Sequence, residues 1–195
     1  MEKSFGYLSA FFAVASIFPY IRDILRLKTK PQRVTWFIYS VLGSISFFSQ
    51  LAKGASNSLW LPGVITVNVV IIFLLSLKYG VGGFSKKDYI VLCIASLGLF
   101  LWNITNEAAI ALYMVILIDA SATYLTLEKS YKHPETETAL LWIFSSIAGL
   151  FSLLAVGSFN IVLISYPLFI MVADGAVAAT VLIRNKVIGS SFCDK

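Results

Sequence analysis

Charged side chains are scarce in this sequence, because Asp, Glu, Lys and Arg together make up only 13% of its 195 residues. A soluble domain of this length carries about a quarter charged residues. Hydrophobic residues reach 58% and the mean hydropathy is +0.86. This balance argues against an ordinary soluble domain and indicates an integral membrane protein. The basic pI of about 9.2 then reflects charge asymmetry across a membrane, and no nucleic acid partner is expected.

Cysteine and histidine are almost absent. Of the two cysteines, Cys93 lies in an apolar run and Cys193 in a polar tail, so no disulfide is expected. The single histidine, His133, lies in a polar loop without other metal ligands. Motifs of the HExxH and GxSxG types are missing as well. The sequence therefore predicts no metal, no cofactor and no enzymatic activity.

Long apolar runs are what the sequence does contain. A membrane-spanning helix needs roughly 20 mostly apolar residues. The predicted fold class is all-α, a polytopic membrane protein with seven transmembrane helices at about 5–25, 34–53, 59–78, 88–104, 107–127, 139–157 and 159–183. The first run lacks a small-residue cleavage site and is predicted to be a retained helix. Because the connections are short, the chain is predicted to form a single membrane domain, 1–195.

Lysine and arginine are distributed unevenly between the two sides of these helices. With seven spans, only Lys3 and Lys53 of the 15 basic residues fall on the first side. The remaining 13 fall on the other side: Arg22, Arg26, Lys28, Lys30, Arg33, Lys78, Lys86, Lys87, Lys129, Lys132, Arg184, Lys186 and Lys195. Basic loops stay in the cytoplasm, so we expect the N-terminus outside and the C-terminus inside. A prokaryotic plasma membrane is the expected location.

The first and last three predicted helices share residues at one offset. Four pairs are separated by 106 positions: Trp36 and Trp142, Gly43 and Gly149, Asn68 and Asp174, Lys78 and Arg184. The two segments, 5–78 and 107–184, are joined by a single helix at 88–104, so both run in the same direction. We therefore predict two parallel three-helix repeats and a linker helix, an arrangement found among secondary transporters.

The first half resembles the repeat of SemiSWEET and PQ-loop transporters in three segments: FPYIRDILRLKTK, VTWFIYSVLG and ITVNVVIIFLLSLKYG. That family carries a proline in the first helix and an asparagine in the third, which are matched here by Pro19 and Asn68. The literal Pro31-Gln32 pair falls in the first cytoplasmic loop instead. The whole chain is similar to the 3+1+3 plan of SWEET proteins. The resemblance implies transport of a small solute by alternating access, with Pro19 and Pro167 as hinges.

The resemblance also has departures that bear on the substrate. Sugar-binding repeats place a tryptophan deep in the second helix, where this chain has Phe48, and the resemblance implies a solute contact there. The asparagine of the third helix is replaced by Asp174 in the second half. These differences argue against a sugar as the substrate.

Two acids interrupt apolar helices: Asp119 in YMVILIDASATYL and Asp174 in FIMVADGAVAA. Acids at that depth are costly and usually face the protein interior or a watery cavity. Asn68, Asp119 and Asp174 each precede a basic residue by ten positions, or ~15 Å of helix, about half a hydrocarbon core. We therefore expect these three side chains to lie near one plane and to form the central solute site.

No lysine or arginine is predicted at the depth of these acids, so each is protonated, paired with a bound cation or hydrated. The pattern favours a cationic, amine-bearing or proton-coupled solute over a neutral sugar. The expected partners are a small solute, protons and membrane lipids, and a homo-oligomer is left open. The alternative for each acid is a hydrogen bond that only joins neighbouring helices.

Polar and aromatic residues near the helix ends receive simpler predictions. Gln50 and Lys53 end the second helix and are expected to be solvated at the outer surface, with a part in an outer vestibule as the alternative. The four tryptophans fall near span ends and are expected to form an aromatic belt at the membrane surfaces: Trp36, Trp60, Trp102 and Trp142.

Other membrane protein classes fit less well. A microbial rhodopsin needs a lysine in its last helix, and the run 159–183 has none. Aspartyl intramembrane proteases carry YD and GxGD motifs, whereas the acids here lie in IDAS and ADGA. A receptor or sorting protein on the same scaffold, as the KDEL receptors are, stays open as the alternative to a transporter.

Overall fold

The computed structural model describes residues 1–27, 31, 33–83, 86–132, 134 and 138–193. Within these ranges the chain forms seven α-helices, one short 3-10 helix (Asn57–Leu59) and no β-strand. The α-helices are α1 (Glu2–Leu25), α2 (Arg33–Ala52), α3 (Trp60–Tyr79), α4 (Lys86–Thr105), α5 (Ala108–Lys132), α6 (Ala139–Leu154) and α7 (Ile161–Cys193). The predicted all-α class is confirmed.

The seven observed helices coincide with the seven predicted ones, except that α7 continues well beyond residue 183. The prediction followed the apolar run alone, whereas the helix continues through Arg184, whose Nε donates to the Tyr131 carbonyl at 3.0 Å, and through the exposed Lys186. Several residues used in the prediction lie outside the described residues: Lys28, Lys30, Gln32, His133 and Lys195.

In the part of the chain that the structure describes, four helices are long and apolar enough to cross a membrane, by length and composition: Glu2–Leu25, Asn57–Tyr79, Ala108–Lys132 and Ile161–Val187. The other three contain shorter apolar stretches, Trp36–Ala52, Leu92–Thr105 and Ala139–Leu154. This pattern is consistent with an integral membrane protein.

The six helices on either side of α4 are described here as two triplets. In the first triplet (α1, α2 and α3), α3 lies between α1 and α2. In the second triplet (α5, α6 and α7), α7 lies between α5 and α6. The triplets meet where α1 packs on α6 and where α2 packs on α5, while α4 packs on α5 and touches α2.

Glycines allow close helix contacts within each triplet. A Cβ atom on Gly149 of α6 would lie 2.7 Å from the backbone nitrogen of Met171 in α7. A Cβ atom on Gly43 of α2 would lie 3.0 Å from Oγ1 of Thr66 in α3. Small residues favour close packing in membranes because lipid supplies no hydrophobic force between helices. Gly43 and Gly149, which are 106 positions apart, thus lie at the contact of α2 with α3 and of α6 with α7 respectively.

One end of the bundle, here called the basic end, joins the start of α2 to the end of α3. The Arg33 guanidinium donates hydrogen bonds to the carbonyl oxygens of Ser76 (3.1 Å) and Gly80 (2.8 Å). The Ser76 carbonyl also accepts the backbone N–H of Gly80 at 2.8 Å, and Gly80 is the residue that follows α3, so Arg33 adds donors where the helix ends. Pro31 is buried, and its carbonyl accepts a 2.9 Å hydrogen bond from the backbone N–H of Val81.

The opposite end, here called the Glu107 end, is closed by contacts between the triplets. Ser9 of α1 donates to the carbonyl of Ala148 in α6 at 2.8 Å, and Ser152 of α6 donates to the carbonyl of Ser58 at 3.1 Å. Lys53 after α2 forms an ion pair with Glu107 just before α5.

The prediction that Gln50 is solvated is wrong, because its side chain is 0% exposed. Gln50 follows Gly43 and Ser46 at helical spacing and therefore lies on the buried face of α2. Lys53, one turn later, is partly exposed. Proximity to a helix end does not indicate which side chains of the last turn point into the bundle.

Candidate functional site

A cavity of about 190 Å³ lies between the two triplets and is lined by residues of α1, α2, α3, α5, α6 and α7. An engineered cavity of about 150 Å³ can hold benzene, so this one has room for a small organic molecule. On α2 the lining residues run from Trp36 to Gly43, and on α6 from Leu141 to Ser145. The cavity therefore occupies the half of the bundle toward the basic end.

The three polar residues singled out in the sequence all line this cavity. Asn68 reaches it from α3, Asp119 from α5 and Asp174 from α7. Asp174 is 8% exposed and accepts a hydrogen bond from the Ser145 hydroxyl of α6. The carboxyl groups of Asp119 and Asp174 lie close enough for their charges to interact. Their contact with a solute stays a prediction.

Asn68 also has a structural role. Its Nδ2 donates a 2.8 Å hydrogen bond to the carbonyl of Ala13 and so ties α3 to α1. The Ser16 hydroxyl, on the next turn of α1, donates to the same carbonyl at 2.8 Å. The amide oxygen of Asn68 is an acceptor that a ligand in the cavity can use.

The described lining of the cavity includes two carboxyl groups and no basic side chain. None of the described residues that line it is Lys, Arg or His. Two neighbouring carboxylates away from bulk water are unfavourable unless a cation or a proton compensates them. Within the described ranges no three His, Cys, Asp or Glu side chains group together as a metal site would require. The site is therefore suited to protons or to a small cation.

Aromatic rings form much of the remaining wall. They belong to Trp36, Tyr39, Trp142, Tyr166 and Phe169. The faces of such rings attract cations, most strongly in the case of tryptophan. Trp36 and Trp142 were expected in the aromatic belt, yet both face the cavity. The sequence did contain a sign of this, because Trp36 and Trp142 are separated by the same 106 positions as the other matched pairs.

Tyr166 is a site residue that the sequence analysis missed. It is 2% exposed, lines the same cavity as Asp119 and Asp174, and lies beside Ser46 of α2. Tyr166, Ile170 and Asp174 follow one another at intervals of four residues, so they lie on one face of α7. The four-residue spacing is visible in the sequence and could have placed Tyr166 on the same helix face as Asp174.

Phe48 does not belong to this cavity. Its side chain is 56% exposed and borders a groove on the outer surface of the first triplet, together with Trp60. Phe48 is two residues beyond the buried Ser46, which corresponds to about 200° around a helix. The family position that carries a tryptophan therefore has no counterpart among the cavity residues here.

The two predicted hinge prolines lie inside continuous helices. Pro19 is within α1 and partly buried, and Pro167 is within α7 and fully buried. Each proline removes one hydrogen bond from its helix. The carbonyl of Pro167 lies where α6 approaches most closely, 3.0 Å from a Cβ atom built on Gly149. Hinge motion at either proline stays a prediction.

No protein-family model matches this chain, and neither do the curated proteins or the solved structures with which it was compared. The class of protein is defined by its fold: an all-helical chain with several helices apolar enough to span a membrane.

Proposed function

We propose that this chain is a membrane transporter that moves a small cationic or amine-bearing solute by alternating access. The observation that carries the proposal is the cavity between the triplets, where Asn68, Asp119 and Asp174 meet among aromatic rings. Secondary transporters hold their substrates near the middle of the bilayer, where two repeats meet. A site with two acids and no base among its described lining residues favours a positively charged solute.

All seven helices are proposed to span the membrane as two parallel repeats that resemble those of SWEET and PQ-loop proteins. The helix contacts support this arrangement. The third helix of each triplet lies between the other two. The contacts between the triplets are also of one kind, because the first helix of each triplet packs on the second helix of the other: α1 on α6, and α5 on α2. The helices α2 and α4 have 20 residues each, or ~30 Å, which equals the thickness of the hydrocarbon core.

The basic end is proposed to face the cytoplasm of a prokaryotic cell, because basic loops stay in the cytoplasm. The Glu107 end is then the outer end. With this orientation the cavity lies toward the cytoplasm, and the contacts from Ser9 to Ala148 and from Ser152 to Ser58 close the outer side. This proposal assigns the structure to the outward-closed state of an alternating-access cycle.

Proton exchange follows from the same carboxyl groups. A carboxylate that binds a cation is already neutralised by it. After the cation leaves, the carboxylate can be neutralised by binding a proton instead. Competition between the two would couple movement of the solute to movement of protons.

The test is a thermal-shift screen of purified protein against amines, polyamines, amino acids, simple cations and sugars. It uses the wild type, Asp174→Asn, and Asp23→Asn as the matched control. Asp23 lies at the basic end beside Arg22 (3.4 Å), so its substitution removes the same charge away from the cavity. A ligand at 100 times its Kd stabilises the folded state by about 2.7 kcal/mol.

We expect an amine or cation to raise the Tm of the wild type and of Asp23→Asn but not that of Asp174→Asn. Uptake of the same compound into liposomes is the second measurement. Equal stabilisation of all three proteins by sugars would contradict the proposal and make the acids structural. Binding of a protein or peptide partner without any response to small solutes would support the receptor alternative.

A further inference from the structure

Polar side chains of α2 continue from the cavity toward the outer end. Ser46, Ser49 and Gln50 are each 0% exposed. Nε2 of Gln50 donates a 3.3 Å hydrogen bond to Oγ of Ser46, and Ser46 lies beside Tyr166 of the cavity wall. From Ser46 to Gln50 the helix rises over four residues, ~6 Å. These three buried polar side chains therefore form a short column on the closed side of the cavity.

Two atoms in this column lack partners. Oε1 of Gln50 and Oγ of Ser49 are buried, and neither has a hydrogen-bond partner within the part of the chain that the structure describes. Most buried polar atoms in proteins are paired, and exceptions often belong to functional sites. Apolar side chains at these positions would avoid the cost of burying unpaired oxygen atoms. The two oxygen atoms therefore indicate a site that becomes paired in another state.

We propose that Ser49 and Gln50 form an outer binding site for a cation that bears N–H groups, on the route by which the solute reaches the Asp119–Asp174 cavity. This inference rests on the proposed transport function. Oε1 of an amide only accepts hydrogen bonds, and a serine hydroxyl accepts as well as donates. Protonated primary, secondary and tertiary amines and guanidinium groups match such a site, whereas a quaternary ammonium has no N–H to donate.

The Lys53–Glu107 ion pair lies at the same end of the bundle, and Lys53 follows Gln50 by three residues along the chain. The two side chains are 28% and 57% exposed, and exposed ion pairs contribute little to stability. This pair therefore resists opening only weakly. When it opens, Ser49 and Gln50 become the first buried polar groups that an incoming cation meets.

The first experiment measures whether the site becomes accessible from outside. Cys93 and Cys193 are replaced by serine, and the full-length chain receives either Ser49→Cys or Ser9→Cys. Both serines are 0% exposed, but the Ser9 hydroxyl is paired with the carbonyl of Ala148 between α1 and α6. A membrane-impermeant thiol reagent is added to the outer side of right-side-out vesicles.

We expect the reagent to modify Ser49→Cys several-fold faster than Ser9→Cys. Methylammonium is expected to slow that modification, and tetramethylammonium, which lacks N–H groups, is expected to leave it unchanged. Equal rates for the two cysteines, or no protection by methylammonium, would overturn the inference. Equal protection by both cations would also overturn it.

The second experiment uses Gln50→Leu, which removes the acceptor at nearly constant volume. We expect methylammonium uptake from the outer side to fall about tenfold, the effect of one hydrogen bond to a charged donor. Stabilisation of the purified protein by methylammonium through the cavity acids is expected to persist, and the Tm without ligand is expected to be unchanged or higher.

The two proposals fail in different ways. If Asp174→Asn removes the response to methylammonium while Gln50→Leu transports like the wild type, the outer site is wrong and the central site stands. If Asp174→Asn binds methylammonium as the wild type does, the proposed function fails, and the outer site with it.

Discussion

The contact between α6 and α7 at Gly149 allows a quantitative test of the packing. In Gly149→Ala the new Cβ atom would lie 2.7 Å from the Met171 nitrogen and 3.0 Å from both the Met171 Cα and the Pro167 carbonyl oxygen. Ordinary contacts of a Cβ atom begin at 3.4 Å. The atoms of α7 that it meets belong to the backbone, so the helices must separate locally by 3.4 − 2.7 = 0.7 Å.

Overpacking of this kind costs about 1–3 kcal/mol, and a rigid backbone contact belongs in the upper part of that range. The better helix propensity of alanine offsets about 1 kcal/mol. We therefore expect Gly149→Ala to lose about 1–2 kcal/mol of stability. Gly43→Ala is the matched control, because its Cβ atom meets the Thr66 side chain at 3.0 Å and backbone only at 3.4 Å. Its net effect is expected to be near zero.

The assay is thermal unfolding of the full chain in one detergent, compared among the wild type and the two alanine variants. For a chain of this size 1 kcal/mol corresponds to about 2–4 °C in Tm, so Gly149→Ala is expected to melt roughly 2–8 °C lower. Ser145, one turn before Gly149, donates to Asp174, so the displaced helix is also expected to weaken binding in the cavity. A Gly149→Ala protein as stable as the wild type, or a Gly43→Ala protein equally destabilised, would refute the reasoning.

Two further predictions concern the ends of the bundle. Arg33→Gln removes two donors from the last carbonyl groups of α3 and is expected to cost about 1–3 kcal/mol in the same melting assay, whereas the exposed Arg26→Gln changes little. Lys53→Glu places like charges at the outer end and is expected to speed modification of Ser49→Cys, with a stability change of less than about 1 kcal/mol. Adding Glu107→Lys restores an ion pair and is expected to restore the slow rate, and a double variant as fast as Lys53→Glu would contradict the role of the pair.

The position of the acids along their helices was accessible from the sequence. A helix rises a constant 1.5 Å per residue, so equal distances to basic residues predicted that Asn68, Asp119 and Asp174 lie at one depth. In the structure all three line one cavity. The rotational position of side chains was less accessible: Phe48 was expected at the site and faces outward, and Gln50 was expected in water and is buried.

The sequence by itself determined the helices, their apolar character and the depth of the acids, because these depend on composition and on constant helical rise. The tertiary structure alone decided which face of each helix meets the cavity. In a soluble protein the apolar face of a helix marks the core. In a membrane, lipid tails are as apolar as leucine, so hydrophobicity does not separate the lipid-facing side from the packed side. Tyr166, Trp36 and Trp142 were therefore assigned to the cavity only once the helices were packed together.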